Sequence, residues 1–296
     1  MTDVIIGVKG LIKDFGHNRA LNNLDLTVHA GEVHGFLGPN GAGKSTTIRI
    51  LLGMLHKNAG EVQLLGKDPW RDAVELHKHL AYVPGDVSLW PNLSGGEAID
   101  LLGRLRGGPV TARRQELIDR FNLDPTKKCG TYSKGNRQKV AIIAALASDV
   151  DLYLLDEPTS GLDPLMQAVF NEYVTQLRHE GKTILLSSHI LAEVDTLCDE
   201  VTIIKEGKDI ISDKLSSLRH MTYSTVTVQT KKPITGLNKM PDVSDVTVNG
   251  DHTTFRVKNG GLSAALTHVA KFGMHSIYSA PPTLEQLFMR HYEEAE

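Results

Sequence analysis

The chain has 296 residues, enough for one large or two ordinary domains, each with a buried core. Its formal net charge of −3 offers no general attraction to polyanions, which argues against nucleic acid as a partner. Its two cysteines, Cys129 and Cys198, are far apart and lack metal-ligand spacing, and its longest apolar runs (140–147 and 183–186) fall well short of the ~20 residues of a membrane span, so a soluble chain without a disulfide framework is expected. The first segment with chemistry in it is EVHGFLGPNGAGKSTTIRILLGML, residues 32–55. An apolar strand-like run ends at Leu37, a glycine loop follows, and a helical period starts near Lys44. Gly38, Gly43, Lys44 and Ser45 match G-x-x-x-x-G-K-[ST]. In that pattern the glycines let backbone N–H groups curl around phosphates, the lysine reaches the β and γ phosphates, and the hydroxyl holds Mg²⁺.

Next in chain order comes NLSGGEAID, residues 92–100, where Ser94 and Glu97 stand three apart before the apolar positions Ile99, Leu101 and Leu102. That spacing predicts a capping box that opens a helix. Farther on, in DVDLYLLDEPTSGLDP, the apolar run Leu152–Leu155 delivers Asp156 and Glu157 at the carboxyl end of a buried strand, where open α/β sheets place ligand chemistry. Asp156 suits the Mg²⁺ shell, and Glu157 suits polarising water against a γ-phosphate. TILLSSHILAEVD repeats the arrangement, with a β-rich run ending in Ser187, Ser188 and His189 before an amphipathic helix. Taken singly, two acids after a strand read equally well as a solvated turn, and one histidine among thirteen as structural; their order carries the argument.

Residues 4 to about 218, with the glycine loop, Asp156-Glu157, Ser160 to Asp163 and the strand-ending His189 in this order, resemble the ABC-type ATPase domain. The resemblance implies a P-loop NTPase fold of that type: an α/β core sheet with flanking helices, plus a helical subdomain at about 86–135. It implies that Pro39, Asn40, Gly41, Ala42 and Thr46 join Gly38, Gly43, Lys44 and Ser45 in binding ATP with Mg²⁺, and that Phe15 stacks on adenine. Asp163 corresponds to the acid that communicates between two nucleotide sites, and His189 to the histidine at the γ-phosphate. In this family the signature motif starts the helix that runs into the acidic strand, so its positions fall at Tyr132, Ser133, Lys134, Gly135 and Asn136. The LSGGE of residues 93–97 closely matches the usual letters LSGGQ but is then a helix start and not the signature. The family glutamine after the strand at 80–83 is Gly85 here, leaving Asp86 as a candidate to support the metal. Arg104, Arg106, Arg113 and Arg114 read as a solvated helical face.

After Ser217 the pattern changes. STVTVQT and SDVTVNGDHTTFRVK alternate with period two, the latter around an Asn249-Gly250 turn, and GLSAALTHVAKF is amphipathic. Residues 219–296 are expected to form a small α+β, ferredoxin-like accessory or regulatory domain without catalytic residues, ending in a helix at PPTLEQLFMRHYEE. The tail is similar to those of the daunorubicin-resistance type of exporter ATPase. The resemblance implies an ATP-hydrolysing subunit at the cytoplasmic face of the membrane that dimerises, as a homodimer, and powers export of a small molecule through separate membrane-spanning permease subunits. An importer ATPase and a soluble, non-transport ABC ATPase are the alternatives.

Overall fold

The computed structural model describes residues 3–106, 112–220 and 223–280. The chain divides into two compact units, Met1–Asp213 and Lys214–Glu296, so the break falls a few residues before position 218.

In the first unit the chain forms β1 (Val4–Phe15), β2 (Asn18–His29), β3 (Val33–Leu37), α1 (Lys44–Leu51), β4 (Ala59–Leu64), α2 (Ala73–Leu76) and β5 (Leu80–Val83). The helices α3 (Gly95–Arg104), α4 (Arg113–Arg120) and α5 (Lys134–Leu146) follow. The remainder alternates: β6 (Leu152–Asp156), α6 (Pro164–His179), β7 (Thr183–Ser188), α7 (Leu191–Leu197), β8 (Glu200–Lys205) and β9 (Lys208–Lys214). A three-stranded antiparallel sheet, β2-β1-β4, and a six-stranded sheet, β5-β6-β7-β3-β8-β9, share one core. Leu24 and Leu26 of β2, Ile48 and Leu51 of α1, and Leu152, Leu154 and Leu185 of the larger sheet belong to it. Every residue of β3, β6 and β7 is buried, as expected of parallel strands covered on both faces; they are mostly apolar, and the buried His34 within β3 is hydrogen-bonded to Glu32 and Thr202.

α3 begins as its sequence requires. The Ser94 hydroxyl accepts from the Glu97 backbone N–H at 3.2 Å, and the Glu97 carboxylate accepts from the Ser94 N–H at 2.6 Å. The first glycine of that stretch is required by its neighbour: a Cβ at Gly95 would lie 2.3 Å from the Tyr132 hydroxyl, which donates to Asp124 O at 2.5 Å. Arg104 is exposed, as a solvated face requires, but the other three arginines depart from it. Arg106 donates to Ala144 O and Ser148 Oγ near the end of α5, and burial lowers its pKa to about 10, which leaves it charged at neutral pH. Arg113 pairs with Glu180, and Arg114 with Asp100. These side chains face carbonyls and carboxylates within the fold, an arrangement that periodicity alone does not reveal.

The second unit holds α8 (Leu215–His220), β10 (Tyr223–Thr230), β11 (Val243–Asn249), β12 (His252–Lys258), α9 (Leu262–Ala270) and β13 (Met274–Ala280). Its antiparallel sheet has the order β11-β12-β10-β13, the ferredoxin-like arrangement, with a 3₁₀ turn at Leu237–Lys239 in place of the first crossover helix. Val226, Val228, Phe255 and Val257 meet Ala265 and Val269 of α9 in a separate core. Asn249 pairs with His252, so the hairpin turns on Gly250 and Asp251, one residue later than the Asn-Gly signal suggests. The helix expected at PPTLEQLFMRHYEE lies outside the described residues.

Because Ser94 serves only as a cap in this fold, Ser94→Ala is expected to cost ~1 kcal/mol in urea denaturation and to leave ATP turnover intact. Loss of turnover at unchanged stability would show that residues 93–97 take part in the chemistry.

Candidate functional site

The site is assembled by strand register. Leu37 pairs with Ser188 across β3 and β7, and Asp156 pairs with Ser187 across β6 and β7. The glycine loop, the acidic pair and His189 therefore leave adjacent strands at the same carboxyl edge, the usual ligand position in α/β sheets.

The loop from Gly38 to Gly43 is set by what lies behind it. A Cβ on Gly38 would come 2.4 Å from Ile204 O, and one on Gly43 (φ 112°) would come 2.6 Å from Leu21 Cδ2 and 2.9 Å from Ala20 O. Gly41 (φ 85°) has nothing within 4 Å of such an atom and is exposed, as are Asn40 and, in part, Pro39. Ala42 is buried, and its N–H donates to Pro39 O at 3.2 Å. At the start of α1 the N–H groups of Lys44, Ser45 and Thr46 have no carbonyl one turn earlier to bond, and the positive end of the helix dipole lies there. Lys44, 5% exposed, donates to Gly38 O at 2.7 Å and Pro39 O at 3.3 Å, with Glu157 Oε1 at 3.4 Å. A backbone cradle packed tightly from behind, with a buried ammonium at its floor, fits the phosphates of a nucleotide.

Asp156 is buried and accepts from Ser187 Oγ at 2.5 Å. Glu157 has φ 47°, the left-handed region that costs a non-glycine residue of order 1–3 kcal/mol. Its N–H donates to Ser187 O at 3.0 Å and Ser187 Oγ at 3.2 Å, so one serine fixes both acids. The Glu157 carboxylate lies between Lys44 and His189 Nδ1, the latter 3.3 Å from Oε2. The hydroxyl of Ser45 and the carboxylate of Asp156 are hard oxygen donors of the kind Mg²⁺ selects. β5 pairs with β6, which brings Gly85 beside Asp156: its Cβ would lie 3.2 Å from Asp156 O and 3.8 Å from Asp156 Cγ. Asp86, the next residue, is exposed. Burial and the Asp156 charge push the nearby Tyr82 hydroxyl up to about 12, so it stays neutral.

Phe15 stands half-exposed where β1 turns into β2, with Lys13 Nζ 5.0 Å above its ring, and β2 continues to Ala20 and Leu21 behind Gly43. Ser133 caps α5 and accepts from Asn136 N at 3.2 Å. Lys134 leans back within its own chain, donating to Ser160 Oγ at 3.3 Å. Gly135 is demanded by packing, since a Cβ there would meet Gly161 O at 2.7 Å. Asp163 caps α6, accepting from Met166 N at 2.9 Å. Sequence reasoning assigned no role to Ser187 or to Gln138, which is buried and donates to Pro158 O at 2.9 Å. A hydroxyl ending an apolar strand and an amide on an apolar helix face were the available signals.

The family model for ABC transporters matches residues 21–160. The chain is 39% identical over 206 residues to the ABC transporter ATP-binding protein NatA of Bacillus subtilis (strain 168), covering 68% of this chain and 84% of NatA. It is 36% identical over 226 residues to the daunorubicin/doxorubicin resistance ATP-binding protein DrrA of Streptomyces peucetius, covering 75% of this chain and 68% of that protein. Among solved structures, the dimeric post-hydrolysis state of the ATP-binding cassette MJ0796 bound to ADP and Pi matches with a TM-score of 0.64 at 26% identity, over 71% of this chain and 98% of that one.

The close approach of α5 to the loop after β6 yields a direct test. Gly135→Ala is expected to destabilise the chain by ~1–3 kcal/mol, the scale of overpacking against backbone, read from the denaturant midpoint. An unchanged midpoint would show that the two segments separate readily.

Proposed function

The chain belongs to the ABC transporter family of ATP-hydrolysing cassettes, and we propose that it powers export of a small molecule, a drug, antibiotic or lipid-like compound, through separate membrane-spanning permease subunits. The observation that carries the ATPase reading is the convergence of Lys44, Asp156, Glu157 and His189 at three adjacent strand ends. Export is supported by the likeness to a protein named for daunorubicin and doxorubicin resistance. Import and non-transport ATPase activity remain the competing readings. Among the described residues no helix is long and apolar enough to cross a membrane, which suits a peripheral subunit at the cytoplasmic face.

In this reading Phe15 stacks on adenine, while Gly38, Pro39, Asn40, Gly41, Ala42, Gly43, Lys44, Ser45 and Thr46 hold the phosphates, the backbone N–H groups supplying most of the contacts and Lys44 the charge. Ser45 and Asp156 would hold Mg²⁺, with Asp86 as a further candidate; the metal would supply neutralisation of the negative charge on the phosphates. Glu157 takes the proton of the attacking water, and His189, already 3.3 Å from it, orients the glutamate toward the γ-phosphate. Lys44 releases its hold on Glu157 when phosphate competes for the ammonium. Two copies join head to tail as a homodimer, so that Ser133, Lys134, Gly135 and Asn136 at the start of α5 face the nucleotide of the partner subunit, and Asp163 lies near the junction. The dimeric form of MJ0796 supports this arrangement. Residues 219–296 act as an accessory or regulatory domain.

Glu157→Gln is expected to keep ATP affinity and to lower turnover about 10²-fold or more, the scale of lost general-base catalysis, measured by phosphate release beside equilibrium nucleotide titration. Near-normal turnover would remove Glu157 from its role. Asp86→Ala is expected to weaken Mg²⁺-dependent turnover roughly 10-fold, the low end for a metal-supporting group. An unchanged Mg²⁺ titration would assign Asp86 to the permease-facing surface instead. Export itself is tested by ATP-dependent efflux or uptake in vesicles carrying the chain with its permease; accumulation in the import sense would overturn it.

A further inference from the structure

Glu193 was given no role above, yet it joins the segments that carry Glu157 and His189. It sits in the first turn of α7, partly buried, and each of its carboxylate oxygens takes a hydroxyl from a different strand end. Thr159, buried, donates to Oε1; Ser188, also buried, donates to Oε2 at 2.8 Å. Thr159 follows Glu157 by two residues, and Ser188 immediately precedes His189. The same Ser188 Oγ accepts from Ile190 N at 2.9 Å, so the hydroxyl held by Glu193 brackets His189 on both sides. With His189 Nδ1 3.3 Å from Glu157 Oε2, a ring closes: Glu157, Thr159, Glu193, Ser188, His189 and back to Glu157.

The ring also reaches α5. The loop that begins at Pro158 and contains Thr159 meets that helix at three points: Pro158 O accepts from Gln138, Ser160 Oγ accepts from Lys134, and Gly161 O lies against Gly135. Ser188 and His189 are thus linked through one carboxylate to the loop that packs on the start of α5.

We propose that Glu193 is a positioning residue for ATP hydrolysis: it holds Glu157 and His189 in register across the β6 and β7 ends and transmits their position to the start of α5. The proposal rests on the roles given to Glu157 and His189 above. A carboxylate is suited to the task because it accepts from two hydroxyls at once and is drawn toward both strand ends together. Alanine removes the acceptor of the Thr159 hydroxyl and leaves Ser188 only the longer contact to Ile190 O at 3.4 Å, whereas glutamine keeps one acceptor oxygen and offers an amide to the other hydroxyl, whose lone pairs accept it.

The test uses the full chain, measuring kcat and KM for ATP, equilibrium ATP affinity and the thermal midpoint. Glu193→Ala is expected to lower kcat by ~10- to ~100-fold, the cost of misplacing a catalytic group by about an ångström, with KM and ATP affinity within about threefold of the parent. Glu193→Gln is expected to recover most of the lost kcat. Thr159→Val combined with Glu193→Ala is expected to be no slower than the slower single variant, since both break the same link. Unchanged kcat in Glu193→Ala overturns the proposal. So does equal loss in the Ala and Gln variants, or a fall in kcat that merely tracks lost ATP affinity and a lowered midpoint. Glu157→Gln measured in parallel separates the two levels. If it turns over normally, the assignment of the Glu157–His189 pair falls and this proposal with it; if it is inactive while Glu193→Ala keeps its kcat, only this proposal falls.

Discussion

The nucleotide-binding half of this chain depends on one constraint: β3, β6 and β7 must finish at the same level. Their ladder pairings, Leu37 with Ser188 and Asp156 with Ser187, meet that requirement. A slip of one residue in β7 would turn Ser187 to the opposite face and remove the hydroxyl that holds both Asp156 and the Glu157 backbone. The burial of all three strands makes such a slip costly, because it would exchange packed apolar side chains between the two faces of the sheet. Core packing and catalytic geometry are therefore two readings of one register.

Charge is organised around the same edge. Lys44 and Asp156 are buried, and buried charges persist only where partners satisfy them. Loop carbonyls and Glu157 do this for the lysine, and Ser187 does it for Asp156. Glu157 bears the strain of a left-handed backbone between a cation and a histidine. It is the kind of residue whose side chain has more than one partner to choose from. A phosphate entering the cradle competes directly for Lys44, which links ligand binding to the freedom of the proposed base.

The glycine loop was legible in the sequence from its G-x-x-x-x-G-K-[ST] spacing, and the acidic strand and the strand ending in Ser188 because each is an apolar run that stops abruptly at polar residues. The capping box at Ser94 and Glu97 was legible because its logic is local. The partners of Arg106, Arg113 and Arg114 were not, since Asp100, Ala144 O and Glu180 are brought near only by packing of α3, α4, α5 and the end of α6. Ser187, Gln138 and Glu193 escaped for a related reason. Their roles lie in bonds to segments far along the chain, and no spacing rule announces a hydroxyl or an amide that serves a neighbour's backbone. The hairpin turn moved by one residue because cross-strand pairing, and not the Asn-Gly dipeptide alone, decided which residues remained outside the ladder.

Gly95 and Tyr132 share a consequence for how sequences related to this one vary. The glycine has no room for a side chain because the tyrosine hydroxyl, anchored on Asp124 O, occupies the space a Cβ would take. A relative with leucine at position 132 would lose both the hydroxyl and the anchor, and position 95 would be released to accept alanine or larger residues. The two positions should therefore covary, tyrosine with glycine and shorter residues with side chains. Within residues 93–97, Tyr132 would then account for the glycine at 95, and the capping box for Ser94 and Glu97.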